Sequence, residues 1–506
     1  MLLLFLLGIA VSPYGRIPLG LDGEETEFST ASWTAMLFGA GIGIGIIFFG
    51  PYEPMSYFLS PRPGSAEAGS ADAVPKAMAQ AALHWGVNAW AFYALVGLAV
   101  AYAAYRRGRV PLMSSIFAPL FRKDPHHTAA GRTIDILAII ATLFGTAASL
   151  GIGALQIASG VEIVTGWGTG GNAAAITIIV VLTVGTIASA VSGLAKGIRW
   201  LSNVNLVLAL LLATFFFVVG PTVFLLNIVP SVFVTYFDQM PSMLSASMAD
   251  GPEMQSFLSS WTTFYWAWWV SWAPFVGIFT AKISRGRTVR QFILGVLFIP
   301  GTIIILAFTM LGGTAIWHQR DSQAIAPDGT LESLPAPQDI FFTVLDQLPG
   351  AAIVAPVVIL MLAIFFITSS DSASLVNSQL SQGGNPEPKR LVTVSALPFA
   401  VVMIGMCVAL LRDFSTDPMM IRRAFQQRAV DNAVREGVTE YGDDFKLAVE
   451  PAHGEAERWS VGKDFESTAE EYTAWYQRTD EEGEPVEFDY ETNEYADDAP
   501  RERPER

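Results

Sequence analysis

Long apolar runs separated by short polar stretches set the pattern of this chain. Runs with little or no charge recur near 33–60, 84–105, 133–163, 174–195, 200–225, 258–281, 292–317, 351–377 and 391–411. A run of ~20 apolar residues crosses a bilayer as one helix. These runs are continuous, whereas a membrane β-barrel shows alternating segments of ~10 residues. The pattern predicts an all-α polytopic membrane protein. Residues 1–11 read as the end of a span, because the basic start and small-residue cleavage site of a secretory signal are both missing. Residues 12–31 read as a polar linker, 61–83 as a Pro/Ser/Ala-rich loop, and 226–257 as an interfacial stretch with polar breaks.

Composition agrees: the 506 residues are 52% hydrophobic and 15% charged, against ~25% charged in soluble domains. The net charge of −16 is local. Residues 413–506 hold 26 acidic and 11 basic residues, a net of −15, so the acidity belongs to a tail. A basic surface for nucleic acid is absent. Cys407 is the single cysteine, which excludes a disulfide within the chain and a cysteine metal site. No GxxxxGK[ST] phosphate cradle is present, which argues against ATP-driven transport on this chain.

Basic residues orient the spans. Arg106–Arg109, Arg122 with Lys123 and Arg132, Lys196 with Arg199, and Lys282–Arg290 mark cytoplasmic loops. The loops at 164–173 and 318–350 are nearly free of Lys and Arg and face out. Lys389–Arg390 then lies inside, yet Arg412, Arg422, Arg423 and Arg428 follow one span later. Either a span is missing between about 385 and 395, or the last run crosses against the rule.

Candidate chemistry gathers in a few stretches. Residues 261–279, WTTFYWAWWVSWAPFVGIF, carry five of the thirteen tryptophans. On a helix, Trp261, Trp268, Trp272, Phe275 and Phe279 fall within an arc of about 60°, with Trp269 further round and Trp266 on the far side. Such a stripe is either packing or a cage of π faces for a quaternary ammonium. Gly39–Gly45 (GAGIGIG) has four glycines in seven residues. It is either a small-residue packing face or a broken helix that offers free N–H and carbonyl groups at the midplane. Trp85, Trp90 and Tyr93 span an arc of about 140° and on their own read as an interfacial belt. Thr368-Ser369-Ser370-Asp371-Ser372 places hard oxygen ligands near the inner end of a span. Thr142, Thr146 and Ser149 form a second hydroxyl face at i, i+4, i+7.

Four stretches resemble the betaine/carnitine/choline transporter family: SWTAMLFGAGIGIGIIFFGPYEP (32–54), HWGVNAWAFYALVGLAVAY (84–102), WTTFYWAWWVSWAPFVGIFTAKISRGRT (261–288) and ITSSDSASLV (367–376). The resemblance runs from about residue 1 to 412 and leaves the tail uncovered. It implies a leucine-transporter-like fold of inverted five-helix repeats. A partial peripheral helix and linker (1–31) would precede a first repeat (32–225), an interfacial connector (226–257), a second repeat (258–412) and an acidic cytoplasmic tail (413–506). The first helix of a family member is absent, and so is a full span that should follow GGNPEP, the fourth helix of the second repeat.

The resemblance also implies roles. Trp85, Trp90, Tyr93, Trp268, Trp269 and Trp272 would cage a trimethylammonium head beside Gly41, Ile42 and Gly43. Phe279 matches an inner gate, and Trp261 and Phe264 an outer pathway. A Na⁺ would take carbonyls of Gly39, Ile42 and Phe365 and hydroxyls of Thr368 and Ser369; a second would use Thr142, Thr146 and Ser149 near Phe275. Proton-coupled choline members carry Asp where this chain has Gly45, and ion-independent exchangers carry basic or thioether side chains at the cation sites. The implied protein is no enzyme and holds no cofactor. It is a cell-membrane symporter of glycine betaine with Na⁺, forming a homotrimer. A proton-coupled choline carrier, a carnitine exchanger, and an osmosensor or inactive homologue remain alternatives.

Overall fold

The computed structural model describes the chain except at residues 42, 110–111, 122–124, 126–127, 167–170, 192–193, 381–390, 442–443, 445, 447–487, 490–493 and 496–506. The described residues are helical, apart from a short antiparallel pair, Phe488–Asp489 with Glu494–Tyr495, and the segments that connect the helices. In order, the helices are α1 (Leu2–Val11), α2 (Thr30–Gly41), α3 (Ile44–Leu59), α4 (Ala73–Trp85), α5 (Val87–Ala101), α6 (Ala129–Thr165), α7 (Gly171–Val191), α8 (Leu194–Val219), α9 (Thr222–Ser245), α10 (Pro252–Ser260), α11 (Thr262–Lys282), α12 (Val289–Ser322), α13 (Ile340–Asp346), α14 (Ala351–Leu380), α15 (Leu391–Ser415) and α16 (Pro418–Tyr441). Among the described residues, five helical segments are long and apolar enough to cross a membrane: Ala73–Arg106, Ala129–Thr165, Thr222–Ser245, Val289–Ser322 and Ala351–Ser370. Large apolar side chains such as Ile136, Ile163, Val234 and Ile353 are exposed on these segments, as they must be where the solvent is hydrocarbon.

The glycine-rich run breaks its helix. The chain leaves α2 at Gly41 and re-enters α3 at Ile44, with Gly43 extended (φ −164°, ψ −176°) between them. Pro51 and Pro54 follow inside α3.

One expectation needs correction. Residues 73–83, assigned to a loop, form most of α4. The sequence AVPKAMAQAALHW is rich in strong helix formers, with its proline in the first turn, where the missing N–H costs nothing. His84 and Trp85 therefore lie at the junction of two helices and not at the outer tip of a span. The helix breaks at Gly86 (φ −82°, ψ −147°). The stretch 226–257, read as interfacial with polar breaks, is mostly α9 and α10, and α9 packs on α4 and α12.

The basic end of the bundle is tied together by its own linker. Leu19 N–H donates to Arg287 O (2.7 Å), Gly286 N–H to Leu19 O (2.8 Å) and Val289 N–H to Ile17 O (2.9 Å). Arg285 pairs with Glu24 at 2.6 Å. Arg106, fully buried, holds Asp22 at 2.6 Å and Asp417 at 3.0 Å, and Arg109 holds Asp413 at 2.6 Å. The last two pairs fix the end of α15 and the start of α16 at the end of the bundle where α5 finishes.

Helix α14 starts at the opposite end, where Gly350 lies against Phe215 near the end of α8. Consecutive helices α14 and α15 thus both finish at the basic end. Arg412 sits with the other basic residues, so the last run obeys the charge rule. Of the place near 385–395 where a span is expected to be missing, 385–390 lies outside the described residues and 391–395 opens α15.

Candidate functional site

Helices α4, α5 and α11 bring the aromatic residues to one place. Helices α5 and α11 approach so closely at Gly97 and Gly277 that a Cβ at either glycine would meet the other's backbone at 3.0 Å. Two stripes separated by some 170 residues of sequence thereby become facing walls. Trp85 and Trp269 meet edge to face at 4.8 Å, Trp268 and Trp269 stack at 5.1 Å, and Trp90 and Tyr93 meet edge to face at 5.2 Å.

Between these walls, the break of α2/α3 and the inner half of α14 lies a cavity of about 520 Å³. Trp85, Trp90, Tyr93, Trp268, Trp269, Trp272, Gly43, Phe275, Phe279, Phe365, Thr368, Ser369, Thr146 and Ser149 all line it. Ala35, Met36, Asn205 and Leu206 extend it toward the basic end. Toward the other end, packed rings close it: Phe49 meets Tyr265 at 5.8 Å and Trp268 at 5.6 Å, and Trp261 meets Tyr57 at 4.9 Å.

The remaining expected residues are placed as follows. Trp261 and Phe264 do not line the cavity. Trp261 belongs to the closing layer, and Phe264 lies tilted against Trp268, ring centres 5.5 Å apart, and is 42% exposed. Thr142 is fully buried one turn from Thr146, its hydroxyl donating to Ala138 O at 2.9 Å. Thr146 and Thr368 also donate to their own helices, to Thr142 O (2.8 Å) and Ile364 O (2.9 Å). Each hydroxyl oxygen keeps lone pairs for another partner. Gly39 and Gly41 lie in the last turns of α2, and Ile42 is outside the described residues.

The indole N–H groups divide into two kinds. Trp85 Nε1 donates to Glu53 Oε2 (2.6 Å) and Trp269 Nε1 to His84 O (2.6 Å). Trp268 Nε1 and Trp272 Nε1 are buried with no hydrogen-bond partner, as is Ser149 Oγ. Buried donors without partners are uncommon in folded proteins, and here they sit on cavity-lining residues.

Sequence reasoning missed Glu53, His84 and Asn205. Glu53 and His84 are fully buried and joined at 2.7 Å. A carboxylate inside an apolar run was the available signal. Asn205 lines the cavity with both amide atoms unpartnered at 2% exposure; an Asn inside an apolar helix pointed the same way. Gly45 also gains a reason: a Cβ there would lie 2.7 Å from the Trp85 ring. Among the described residues no cluster of His, Cys, Asp or Glu could hold a metal.

Residues 1–395 match the family model described as BCCT, betaine/carnitine/choline family transporter. The chain is 47% identical to the betaine/ectoine transporter LcoP of Corynebacterium glutamicum, over 97% of this chain and 82% of that protein. It is 36% identical to the glycine betaine transporter OpuD of Bacillus subtilis, over 83% of this chain and 86% of that protein. A glycine betaine/proline/choline/ectoine transporter of Vibrio parahaemolyticus is 37% identical over 82% of this chain and 78% of that protein. The match to LcoP takes in most of the acidic tail, which the family resemblance alone left uncovered. Its 523 positions cover 97% of a 506-residue chain, so about thirty positions of that relative face no residue here, enough for a span of ~20 residues.

Proposed function

The chain belongs to the betaine/carnitine/choline transporter family, and on that premise we propose that it imports glycine betaine together with Na⁺ by alternating access. The single observation that carries this reading is the cavity, which collects six Trp and Tyr residues, the extended Gly43 and the Thr368–Ser369 hydroxyls around one space.

A trimethylammonium head has no N–H to donate, so π faces are its natural partners, at ~0.5–2 kcal/mol each. The unpartnered N–H groups of Trp268 and Trp272, with backbone N–H groups freed at the helix break, suit the carboxylate at the other end of the molecule. Na⁺ is the co-substrate. Phe365 carbonyl, Thr368, Ser369 and the carbonyls of Gly39 and Ile42 form one oxygen set; Thr142, Thr146 and Ser149, with Phe275, form another. Gly45 supports Na⁺ over H⁺ coupling, since an Asp there has no room beside Trp85. Ectoine, which LcoP is named for alongside betaine, is a second zwitterion that the same groups suit.

In this reading the cavity faces the cytoplasm, because it extends toward the basic end and is closed by rings at the other. Phe279 acts as the inner gate, and Trp261 with Phe264 as the outer pathway. The protein works in the cell membrane as a homotrimer built on inverted repeats, with its acidic tail inside. The roughly thirty LcoP positions that face no residue here favour one other reading: a span is missing from this chain, and transport is lost with it. Cells expressing the chain and cells expressing Trp272→Ala at equal abundance separate the two. Betaine uptake by the first and not the second supports transport through the cage; uptake by neither supports the inactive form, and equal uptake by both removes the cage.

A further inference from the structure

We propose that Glu53 is a positioning residue for the cage, acting through the Trp85 indole. The proposal rests on the cage reading above. Glu53 lies on α3 at 0% exposure, with no lysine or arginine paired to it among the described residues. Burying a carboxylate is costly unless its oxygens are satisfied. Oε1 accepts from the Tyr57 hydroxyl at 2.9 Å and lies 2.7 Å from His84 Nδ1. Oε2 accepts from Trp85 Nε1 at 2.6 Å. Thr262 and Gln80 hold the far side of the imidazole, at 3.1 and 3.3 Å from Nε2. The pair is thus built on three helices, α3, α4 and the start of α11, with its second carboxylate oxygen bonded to a ring of the cage.

Two consequences follow for that ring. Its rotation is fixed, because the short N–H···O⁻ bond holds one edge while Gly45 and Trp269 bound the rest. Its π face is also made more negative, because an N–H that donates to an anion sends electron density into the ring. A more negative face binds a quaternary ammonium more tightly. The neighbouring ring is held separately, by the backbone carbonyl of His84, which accepts from Trp269 Nε1 at 2.6 Å. Glu53 thus acts on the Trp85 ring alone, and it raises the selectivity for cationic heads without touching the ligand.

The experiment measures binding to the full purified chain by calorimetry in saturating NaCl, with two probes of equal shape. Glycine betaine carries the cation; 3,3-dimethylbutanoate replaces its nitrogen by carbon and has none. Glu53→Gln keeps size and an accepting oxygen but removes the charge. It is expected to weaken betaine about five- to ten-fold and the isostere less than two-fold, the scale of one altered cation–π contact. Trp85→Phe removes the N–H and is expected to lower the betaine preference by itself, which tests the proposal even if Glu53→Gln fails to fold. In the Trp85→Phe background, Glu53→Gln is expected to have no further effect. Equal weakening of both probes means a merely structural role and overturns the proposal. So does an unchanged preference in Glu53→Gln or Trp85→Phe, or an equal loss in both backgrounds, which would mean the charge acts through space. A wild-type chain that binds both probes alike refutes the cage itself, and this inference with it.

Discussion

Gly97 of α5 and Gly277 of α11 lie backbone against backbone, each leaving no room for a methyl group on the other. A Cβ at 277 would meet Val96 Cγ1 at 2.7 Å and Gly97 N at 3.0 Å. Backbone cannot yield as a flexible side chain can, so Gly277→Ala forces the cage walls apart. We expect ~1–3 kcal/mol of destabilisation, read as a lower melting temperature in detergent, together with weaker betaine binding. Gly8→Ala, where the added methyl meets nothing, is the control and should leave melting unchanged or slightly raised.

At Gly45 the obstacle is the Trp85 ring, which an added methyl would meet at 2.7 Å. Gly45→Ala should displace that indole and raise the Kd for betaine several-fold, with little change in melting temperature. An unchanged Kd would show that the ring moves freely and is not part of the binding surface.

Trp272 carries an indole N–H with no protein partner. Trp272→Phe removes it and keeps the ring. No internal hydrogen bond is lost, so melting should hold. Substrate affinity should fall by ~1 kcal/mol, about five-fold, the value of one ordinary hydrogen bond. Titration of the purified variant decides; unaltered affinity would mean this N–H does not meet the ligand.

Thr368→Ala should raise the Na⁺ concentration for half-maximal uptake without changing the abundance of the protein. The hydroxyl donates only to its own helix, at 2.9 Å, so its removal leaves no buried partner orphaned. A Na⁺ dependence identical to wild type would remove this residue from the ion site.

Arg109 and Asp413 are 6% and 3% exposed and pair at 2.6 Å. Arg109→Ala leaves a buried carboxylate short of its main partner and should cost ~3–5 kcal/mol. The double variant Arg109→Met with Asp413→Leu should recover much of that. A double-mutant cycle on melting checks both statements.

The sequence was most informative where one physical signal dominated. Apolar run length located the spans, and tryptophan spacing chose the face of α11 that meets the cavity. Four glycines in seven residues marked the break between α2 and α3. The Trp85–Trp90–Tyr93 stripe was ambiguous alone, because its meaning depends on Gly97 meeting Gly277 across the bundle, a contact without local signature. Residues 73–83 were misassigned because Ser and Pro upstream obscured an alanine-rich helix. Glu53 passed unnoticed inside GPYEP, since its partners come from a helix some thirty residues away. The direction of α15 needed the ion pair of its Asp413 with Arg109, which no charge count supplies.

The decisive measurement is uptake of labelled glycine betaine into proteoliposomes holding the purified chain, under an imposed inward Na⁺ gradient. Accumulation above the external concentration with Na⁺, none when K⁺ replaces it, and none in Trp272→Ala is the predicted result. Accumulation driven by a pH gradient in the absence of Na⁺, or uptake that Trp272→Ala leaves intact, would contradict it.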